Sequence, residues 1–279
     1  MKVGAHISIA GGLGKAVSRA RSLGCETMQV FSRSPRGGKA RSLSAGELEE
    51  LRAGLVEAGI GPLVVHVPYL LNLAAAEERV YRYSLELLAE DLARAEAMGA
   101  PYLVTHMGHY PGPAEDGKER VARGLRLVLD NYGGPVTILL ENTAGGRHEL
   151  GHTFQDIAWV MKESGYQERL GLCLDTCHAF AAGYDLASPS GIGETLGIID
   201  REIGLKKLGV VHANDSRGAL GSRLDRHEHI GWGYIGREGF RALLHRPELA
   251  EVPFILETPV KTSRDDLRNL AMLKELRPS

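Results

Sequence analysis

The amino-acid sequence predicts a parallel α/β barrel of eight strands, and three observations support this fold class. The chain has 279 residues, close to the roughly 250 of one (β/α)₈ barrel. Eight short β-type runs alternate with longer helical stretches, and no Pro/Gly/Ser-rich linker divides them. Several runs are continuously apolar, which is typical of parallel strands covered on both faces. We therefore expect one domain over residues 1–279, a (β/α)₈ TIM barrel, with a doubly wound open sheet as the alternative.

The predicted elements follow one another in a regular order. The predicted strands are Val3–Ser8, Thr27–Phe31, Leu63–Val67, Tyr102–Thr105, Thr137–Glu141, Leu170–Asp175, Leu208–Ala213 and Phe254–Glu257. The clearest helix covers residues 77–98, because apolar residues recur there at intervals of three and four. Gly24, Gly59 and Gly99 each follow a helical stretch and precede a strand, where a left-handed helix cap is often needed.

Composition and charge exclude several classes of protein. Hydrophobic residues make up 43% of the chain and charged residues 24%, which excludes a disordered or collagenous chain. The apolar runs are far shorter than the ~20 residues that cross a bilayer, and the start of the chain lacks a signal-peptide pattern. The three cysteines are too few for a disulfide framework, so we expect them to be buried. We predict a cytoplasmic protein without a membrane partner.

Imidazole and carboxylate side chains stand at the ends of six predicted strands. They are His66, His106, Glu141, Asp175, His212 and Glu257. Because all strands of a parallel barrel open on one face, these side chains should converge in one bowl. His178 stands three residues after Asp175, and Asp225 and His227 lie two apart on one side of an extended segment. Together these residues predict a metal site with nine nitrogen and oxygen ligands.

The ligand chemistry narrows the choice of metal and substrate. Five imidazoles and four carboxylates without a thiolate suit Zn²⁺, Mn²⁺ or Fe²⁺. Zinc takes three or four protein ligands, so nine would serve two or three ions, particularly if a glutamate bridges. With three zinc ions bound, the formal charge of −2 would become about +4. Neighbouring ions about 3.5–4 Å apart recur in enzymes that displace groups at phosphate, so a phosphoester substrate is favoured.

Seven segments in chain order carry a resemblance to a known family. They are Gly4–Ser8, His66–Leu73, Leu140–Gly145, Asp175–His178, His212–Ser216, Asp225–Glu228 and Leu256–Pro259. From Met1 to about Leu270 the chain resembles endonuclease IV, the bacterial apurinic/apyrimidinic endonuclease. The resemblance implies a TIM barrel with three zinc ions that cuts DNA 5′ to an abasic site, leaves a 3′-hydroxyl and removes blocking groups from 3′ ends. The implied partner is double-stranded DNA with abasic sites or blocked 3′ ends, and we expect a monomer.

The resemblance also implies a role for each ligand. One zinc would be held by His66, His106 and Glu141. Glu141 would bridge to a second zinc, held also by Asp175, His212 and Glu257. The third would be held by His178, Asp225 and His227, and manganese is the alternative to zinc at one site. Glu141 and Glu257 are the expected catalytic residues.

Three more residues are expected to contact DNA. Tyr69 and Leu70 follow His66 by three and four residues and therefore lie on the predicted rim loop. The resemblance favours them as a wedge in the base stack, with Arg36 entering from the opposite side. The alternative is that Tyr69 and Leu70 only anchor their loop in the core. Family members often carry a tryptophan two residues after this arginine, where Gly38 stands in this chain.

Two other functions compete with the nuclease. A metal-dependent sugar isomerase or epimerase on the same barrel uses one or two ions, and the Asp225 and His227 pair would be unnecessary for it. A metal-stabilised module that only binds damaged DNA is disfavoured, because phosphate held at a site with several zinc ions would be difficult to protect from hydrolysis. The extra ligand pair is therefore the sequence feature that favours the nuclease.

Overall fold

A computed structural model describes residues 1–34, 40–262 and 264–278, which form a closed parallel barrel. Its strands are β1 (Val3–His6), β2 (Thr27–Phe31), β3 (Leu63–His66), β4 (Tyr102–His106), β5 (Thr137–Glu141), β6 (Leu170–Asp175), β7 (Leu208–His212) and β10 (Phe254–Leu256). Around the barrel the strand order is β1, β10, β7, β6, β5, β4, β3, β2. A separate antiparallel pair is formed by β8 (Asp215–Ser216) and β9 (His227–Glu228). The predicted TIM barrel is confirmed.

Helices alternate with the barrel strands. They are α1 (Leu13–Leu23), α2 (Ala45–Ala58), α3 (Glu78–Met98), α4 (Ala114–Leu129), α5 (Phe154–Ser164), α6 (Thr176–Ala182), α7 (Pro189–Glu202), α8 (Gly236–Leu244) and α9 (Asp265–Leu276). The helix expected over residues 77–98 is α3, and its apolar stripe faces the barrel. Gly24, Gly59 and Gly99 end α1, α2 and α3 with φ of 74°, 65° and 77°, so the predicted left-handed caps are confirmed.

Five predicted strand ends differ from the observed ends by one or two residues. The sequence prediction is too long for β1, β3, β7 and β10, and one residue too short for β4. Ile7, Val67 and Ala213 each still donate one backbone hydrogen bond to a neighbouring strand, at 2.7 to 3.0 Å. Because these apolar residues continue the strand pattern after regular pairing stops, the pattern alone overestimates the strand length.

The barrel interior and the layer outside it are two separate cores. The interior core is formed by Val64, Val104, Leu139, Cys173, Val210 and Ile255. The larger core lies between the strands and the helices. All three cysteines are buried and free, as predicted. Because the interior is filled by side chains, the polar groups lie at the open carboxyl ends of the strands.

None of the described helices is both long enough and apolar enough to span a bilayer.

Candidate metal centre

Consecutive barrel strands end on candidate ligands. His66, His106, Glu141, Asp175 and His212 are the last residues of β3 to β7, and Glu257 directly follows β10. In the strand register, His106 is opposite Glu141, and Asp175 is opposite His212. The structure therefore brings together at one face side chains that lie far apart in the sequence.

The first ligand group consists of His66, His106 and Glu141. The Nε2 atoms of His66 and His106 lie 3.0 and 3.3 Å from Oε2 of Glu141, which is fully buried. Nδ1 of His66 lies 2.6 Å from the carbonyl oxygen of Val67. Because this oxygen can only accept, Nδ1 carries the proton, and the lone pair of Nε2 points toward the glutamate.

The second ligand group shares Glu141 with the first. Nδ1 of His212 lies 3.1 Å from Oε1 of Glu141 and 3.2 Å from Oε2 of Glu257. Asp175 contributes a carboxylate oxygen to the same group. Nε2 of His212 lies 2.9 Å from Oε1 of Gln29 and therefore donates to that amide oxygen. The lone pair of Nδ1 is thus directed at two carboxylates.

The third ligand group joins α6 to the β9 strand. Oδ1 of Asp225 lies 3.3 Å from Nε2 of His178 and 3.5 Å from Nε2 of His227, and these two nitrogens are 3.4 Å apart. Each histidine donates from Nδ1 to a backbone carbonyl oxygen at 3.0 Å, that of Asn142 or that of Glu257. Two nitrogen lone pairs therefore face each other and one carboxylate oxygen.

This arrangement fits bound metal cations. Facing lone pairs and carboxylates repel one another unless a positive charge lies between them. Four ligands at 2.0–2.1 Å around a tetrahedral zinc would lie roughly 3.3 Å apart. Six nitrogen–oxygen pairs within the three groups are 3.0 to 3.5 Å apart. Glu141 offers one oxygen to the first group and the other to the second, as a bridging ligand does.

The pKa values reflect a concentration of negative charge. Burial disfavours the charged form of His178, but the charge of Asp175 and the hydrogen bond to Asp225 raise its pKa well above the ordinary value. Burial also opposes ionisation of Glu141, yet the neighbouring histidines hold its pKa well below the ordinary value. When His178 is also protonated at Nε2, in the position that a metal ion would otherwise take, its hydrogen bond lowers the pKa of Asp225 to about 2. The cluster therefore favours cations, whether protons or metal ions.

Cys173 and Cys177 lie close to the ligands but are poor ligands themselves. Burial raises the pKa of each thiol to about 12. Since the thiolate is the form that binds metal, the raised pKa makes these thiols weaker candidate ligands than the imidazoles and carboxylates beside them.

The spacing of Asp175 and His178 has a local structural cause. Asp175 is the N-cap of α6, and its Oδ1 accepts a hydrogen bond from the backbone N–H of His178 at 2.8 Å. This cap fixes the first turn of the helix. As a result, a ligand from the second group positions a ligand of the third.

Three amide side chains hold the ligands in place, and the sequence analysis missed all of them. Gln29 donates from Nε2 to Oε1 of Glu257 at 2.7 Å while accepting from His212. Asn214 donates to Oδ2 of Asp175 at 2.6 Å. Asn142 accepts from the backbone N–H of Asp175 at 2.8 Å. The sequence did contain a signal for these residues. Asn142 and Asn214 closely follow a predicted ligand at a strand end, and Gln29 is a polar residue inside an apolar run.

The two predicted DNA contacts on the rim lie beside the ligands. Tyr69 and Leu70 are 66% and 46% exposed, which contradicts the alternative that they only anchor the loop in the core. They line a cavity of about 220 Å³ together with His106, His178 and Asp225. The third predicted contact, Arg36, lies outside the described residues, as does Gly38.

Comparison with known proteins identifies the family. A family model described as xylose isomerase-like TIM barrel matches residues 17–276. A Methanoculleus marisnigri protein named probable endonuclease 4 is 47% identical over 276 residues, which are 98% of each chain. The crystal structure of endonuclease IV from Thermus thermophilus superposes with a TM-score of 0.87 at 40% identity, covering 99% of this chain and 98% of that one. This chain belongs to the endonuclease IV family.

Membership of the endonuclease IV family confirms the resemblance found in the sequence motifs and, with it, the prediction of a nuclease, a hydrolase acting on DNA. A more distant likeness shows the fold alone. A crystal structure titled D-tagatose 3-epimerase-like protein superposes with a TM-score of 0.74 at 22% identity, covering 99% of this chain and 97% of that one. Because other enzymes share this barrel, the sequence identity and not the fold separates the endonuclease IV family from them.

Proposed function

We propose that this protein is a zinc-dependent DNA repair endonuclease that hydrolyses the phosphodiester 5′ to an abasic site and leaves a 3′-hydroxyl. We also propose that it removes blocking groups from 3′ ends, and that residues 1–279 act as one domain and as a monomer. The observation that carries this proposal is the set of three ligand groups arranged around Glu141, whose two oxygens belong to two different groups. Because the proposed substrate is damaged genomic DNA, we also propose that the protein is located in the cytoplasm with that DNA.

The ligands would act in the groups in which they lie. His66, His106 and Glu141 would hold one ion, with Glu141 shared by the ion at Asp175, His212 and Glu257. His178, Asp225 and His227 would hold the third, and manganese could replace zinc at one site. Bound zinc would supply Lewis acidity, lowering the pKa of water and stabilising negative charge on the phosphate oxygens. Glu141 and Glu257 are the proposed catalytic residues because both would hold the second ion, and Glu141 would also hold the first.

Burial indicates the direction from which the substrate arrives. Glu141 and His212 are fully buried, whereas the Asp225 side chain is 55% exposed. A phosphate would therefore meet Asp225 first and reach the shared glutamate from that side. Such depth excludes the backbone of an intact duplex, so the abasic nucleotide must turn outward. Turning is easiest where a base is already missing.

Tyr69 and Leu70 are placed to support the outward conformation. Both side chains are exposed on the loop that follows β3 and line the cavity that also contains His178 and Asp225 of the third group. Exposed apolar side chains inserted between base steps keep a duplex unstacked. We propose that this pair fills the gap left by the abasic nucleotide, with Arg36 entering from the opposite side.

A sugar isomerase or epimerase remains the rival function. Its likeness to this chain rests on the barrel, and one or two ions suffice for it. The facing lone pairs of His178 and His227 provide a further cation position that such a reaction does not need.

The decisive experiment is incubation of the purified protein with zinc and a duplex that carries one tetrahydrofuran abasic analogue. We expect a single cut on the 5′ side of the analogue, with a 3′-hydroxyl that a polymerase can extend. A second duplex, with a nick blocked by a 3′-phosphate, tests the removal of blocking groups. If the zinc-loaded protein does not cut the abasic duplex, the proposed endonuclease activity is refuted. If it cuts that duplex but leaves the 3′-phosphate at the nick, only the proposed removal of blocking groups is refuted.

A further inference from the structure

Two exposed aromatic side chains lie on the loop after β9, the strand that begins at the third-group ligand His227, and have no role in the function proposed above. Trp232 is 61% exposed and Tyr234 is 62% exposed. Together with Arg217, Glu228 and Gly233 they line a cavity of about 290 Å³. This volume is at the lower end of the range for ligand pockets, and suits one small planar group. We call Trp232 and Tyr234 the aromatic pair.

The loop that carries the aromatic pair is fixed by hydrogen bonds to one buried carboxylate. The buried carboxylate of Asp215 accepts hydrogen bonds from the backbone N–H groups of Gly231, Gly233, Ile235 and Gly236, at 2.9 to 3.3 Å. A Cβ at position 233 would lie 2.3 Å from the carbonyl oxygen of Ser216, so the close approach requires glycine. The loop geometry is therefore set before any ligand arrives, which lowers the cost of binding.

One face of the indole is already occupied by a cation. The guanidinium carbon of Arg268 lies 4.1 Å from the centroid of the Trp232 ring, and the His229 ring meets the indole edge-on at 5.2 Å. Since most of the indole remains accessible, its opposite face is open. An arginine over one face and an open second face form a stacking platform for another planar π-system.

The aromatic pair is attached to the same small sheet as a candidate metal ligand. Tyr234 donates from its backbone N–H to the carbonyl oxygen of Ser216 in β8 at 2.8 Å, and β8 pairs with β9, which begins at His227. Arg226, next to that ligand, is exposed, and its guanidinium donates to the carbonyl of Asp225. Within the described ranges no carboxylate pairs with Arg226, so its positive charge is available to a phosphate.

We propose that the aromatic pair stacks an unpaired nucleobase of the DNA strand bound at the metal centre, with Trp232 as the main platform. This inference rests on the proposed function, because it assumes that DNA lies over the third ligand group. Bases stack on exposed aromatic side chains without sequence preference, and nearby arginines follow the phosphates. A base that remains paired keeps both faces inside the duplex and cannot use the platform.

The chain offers a matched control, since it has two tryptophans. Trp159 on α5 is 36% exposed and, like Trp232, has a cation over its ring, Lys118 at 5.5 Å. Trp159 lies in the helical layer outside the barrel, whereas Trp232 lies on the loop that follows β9. The Trp159→Phe variant therefore leaves Trp232 as the single fluorescent reporter, and the Trp232→Phe variant leaves Trp159.

The test titrates both zinc-loaded variants with a single-stranded thymidine oligomer and with a blunt duplex of the same length. We expect the single strand to quench Trp232 fluorescence much more than the duplex does, and to leave Trp159 unaffected. Trp232→Ala should weaken single-strand binding roughly 5- to 100-fold, with Tyr234→Ala smaller, and metal content should not change.

Two outcomes would overturn the inference. One is equal quenching of both tryptophans by the single strand. The other is unchanged single-strand binding by Trp232→Ala. Either result would show that the aromatic pair does not bind a nucleobase and would favour a protein partner for this surface. Cleavage of the abasic duplex by the unaltered protein is measured separately. If that cleavage occurs while Trp232 gives no signal, the stacking inference fails and the proposed function stands. If Trp232 is quenched but no cut appears, the endonuclease fails and the binding site stands.

Discussion

Replacing Gln29 by leucine tests whether a side chain outside the ligand set controls the second ion. Gln29 is fully buried in β2 and touches two ligands of that group at once. Its orientation follows from the hydrogen bonds, because the reverse amide would place its oxygen against Glu257 and its NH₂ group against the N–H of His212. Leucine has a similar volume and makes neither hydrogen bond.

The size of the effect follows from the groups that lose a partner. Nε2 of His212 would lose the amide oxygen that accepts its hydrogen bond, while Oε1 of Glu257 would keep His6 at 3.3 Å. An unsatisfied buried polar group costs about 1–3 kcal/mol, and loss of a hydrogen bond behind a metal ligand typically lowers affinity about 10- to 100-fold. We therefore expect a loss of that size at the second ion, caused mainly by His212.

The assay is zinc content after equilibration with a series of chelator buffers, read together with the free energy of unfolding. Thr27→Val is the matched control, since Thr27 is also buried in β2 and its hydroxyl donates to the carbonyl of Pro62 at 2.6 Å, away from the ligands. Both variants should lose stability, but only Gln29→Leu should lose zinc affinity. Equal affinity in both variants would show that Gln29 serves the fold alone.

Four further results are expected. Glu257→Gln should lower turnover by several orders of magnitude while the protein stays folded; near-normal turnover would remove Glu257 from the catalytic residues. His178→Ala should deplete one ion selectively in elemental analysis, whereas equal loss of every ion would indicate a single cooperative cluster. The double variant Tyr69→Ala and Leu70→Ala should cleave abasic duplex poorly but hydrolyse a small phosphodiester normally, and equal loss on both substrates would contradict the wedge. Because the charge of Asp175 and the hydrogen bonds to Asp225 and Glu141 together outweigh burial and raise the pKa of His178, zinc binding at neutral pH should release protons, and the release should decrease as the pH rises through that pKa. Calorimetry in buffers of different ionisation enthalpy measures this release, and a release that does not change with pH would contradict the expectation.

The fold and the positions of the candidate ligands could be predicted from the sequence for one reason. Six of the eight predicted strands end near a ligand, as β5 does at Glu141 and β6 at Asp175, and a parallel barrel places all those ends on one face. Convergence therefore follows from topology and needs no knowledge of side-chain conformation.

The groups that orient the ligands could not be predicted in the same way. Gln29 lies between Met28 and Val30 in an apolar run, and only the barrel closure brings it to His212. The aromatic pair was missed because its exposure depends on a loop folded around Asp215. Hydrogen bonds between residues distant in the chain depend on side-chain geometry, which residue periodicity does not determine.

The most direct test of the metal centre is a crystal structure of protein purified without added metal, with anomalous diffraction measured above and below the zinc and manganese absorption edges. The three ligand groups predict three anomalous peaks per chain. One should lie among His66, His106 and Glu141, the next beyond Glu141 toward Glu257, and the last between the Nε2 atoms of His178 and His227. Two peaks or fewer, persisting after the crystals are soaked in zinc, or a peak away from these ligands, would contradict the account.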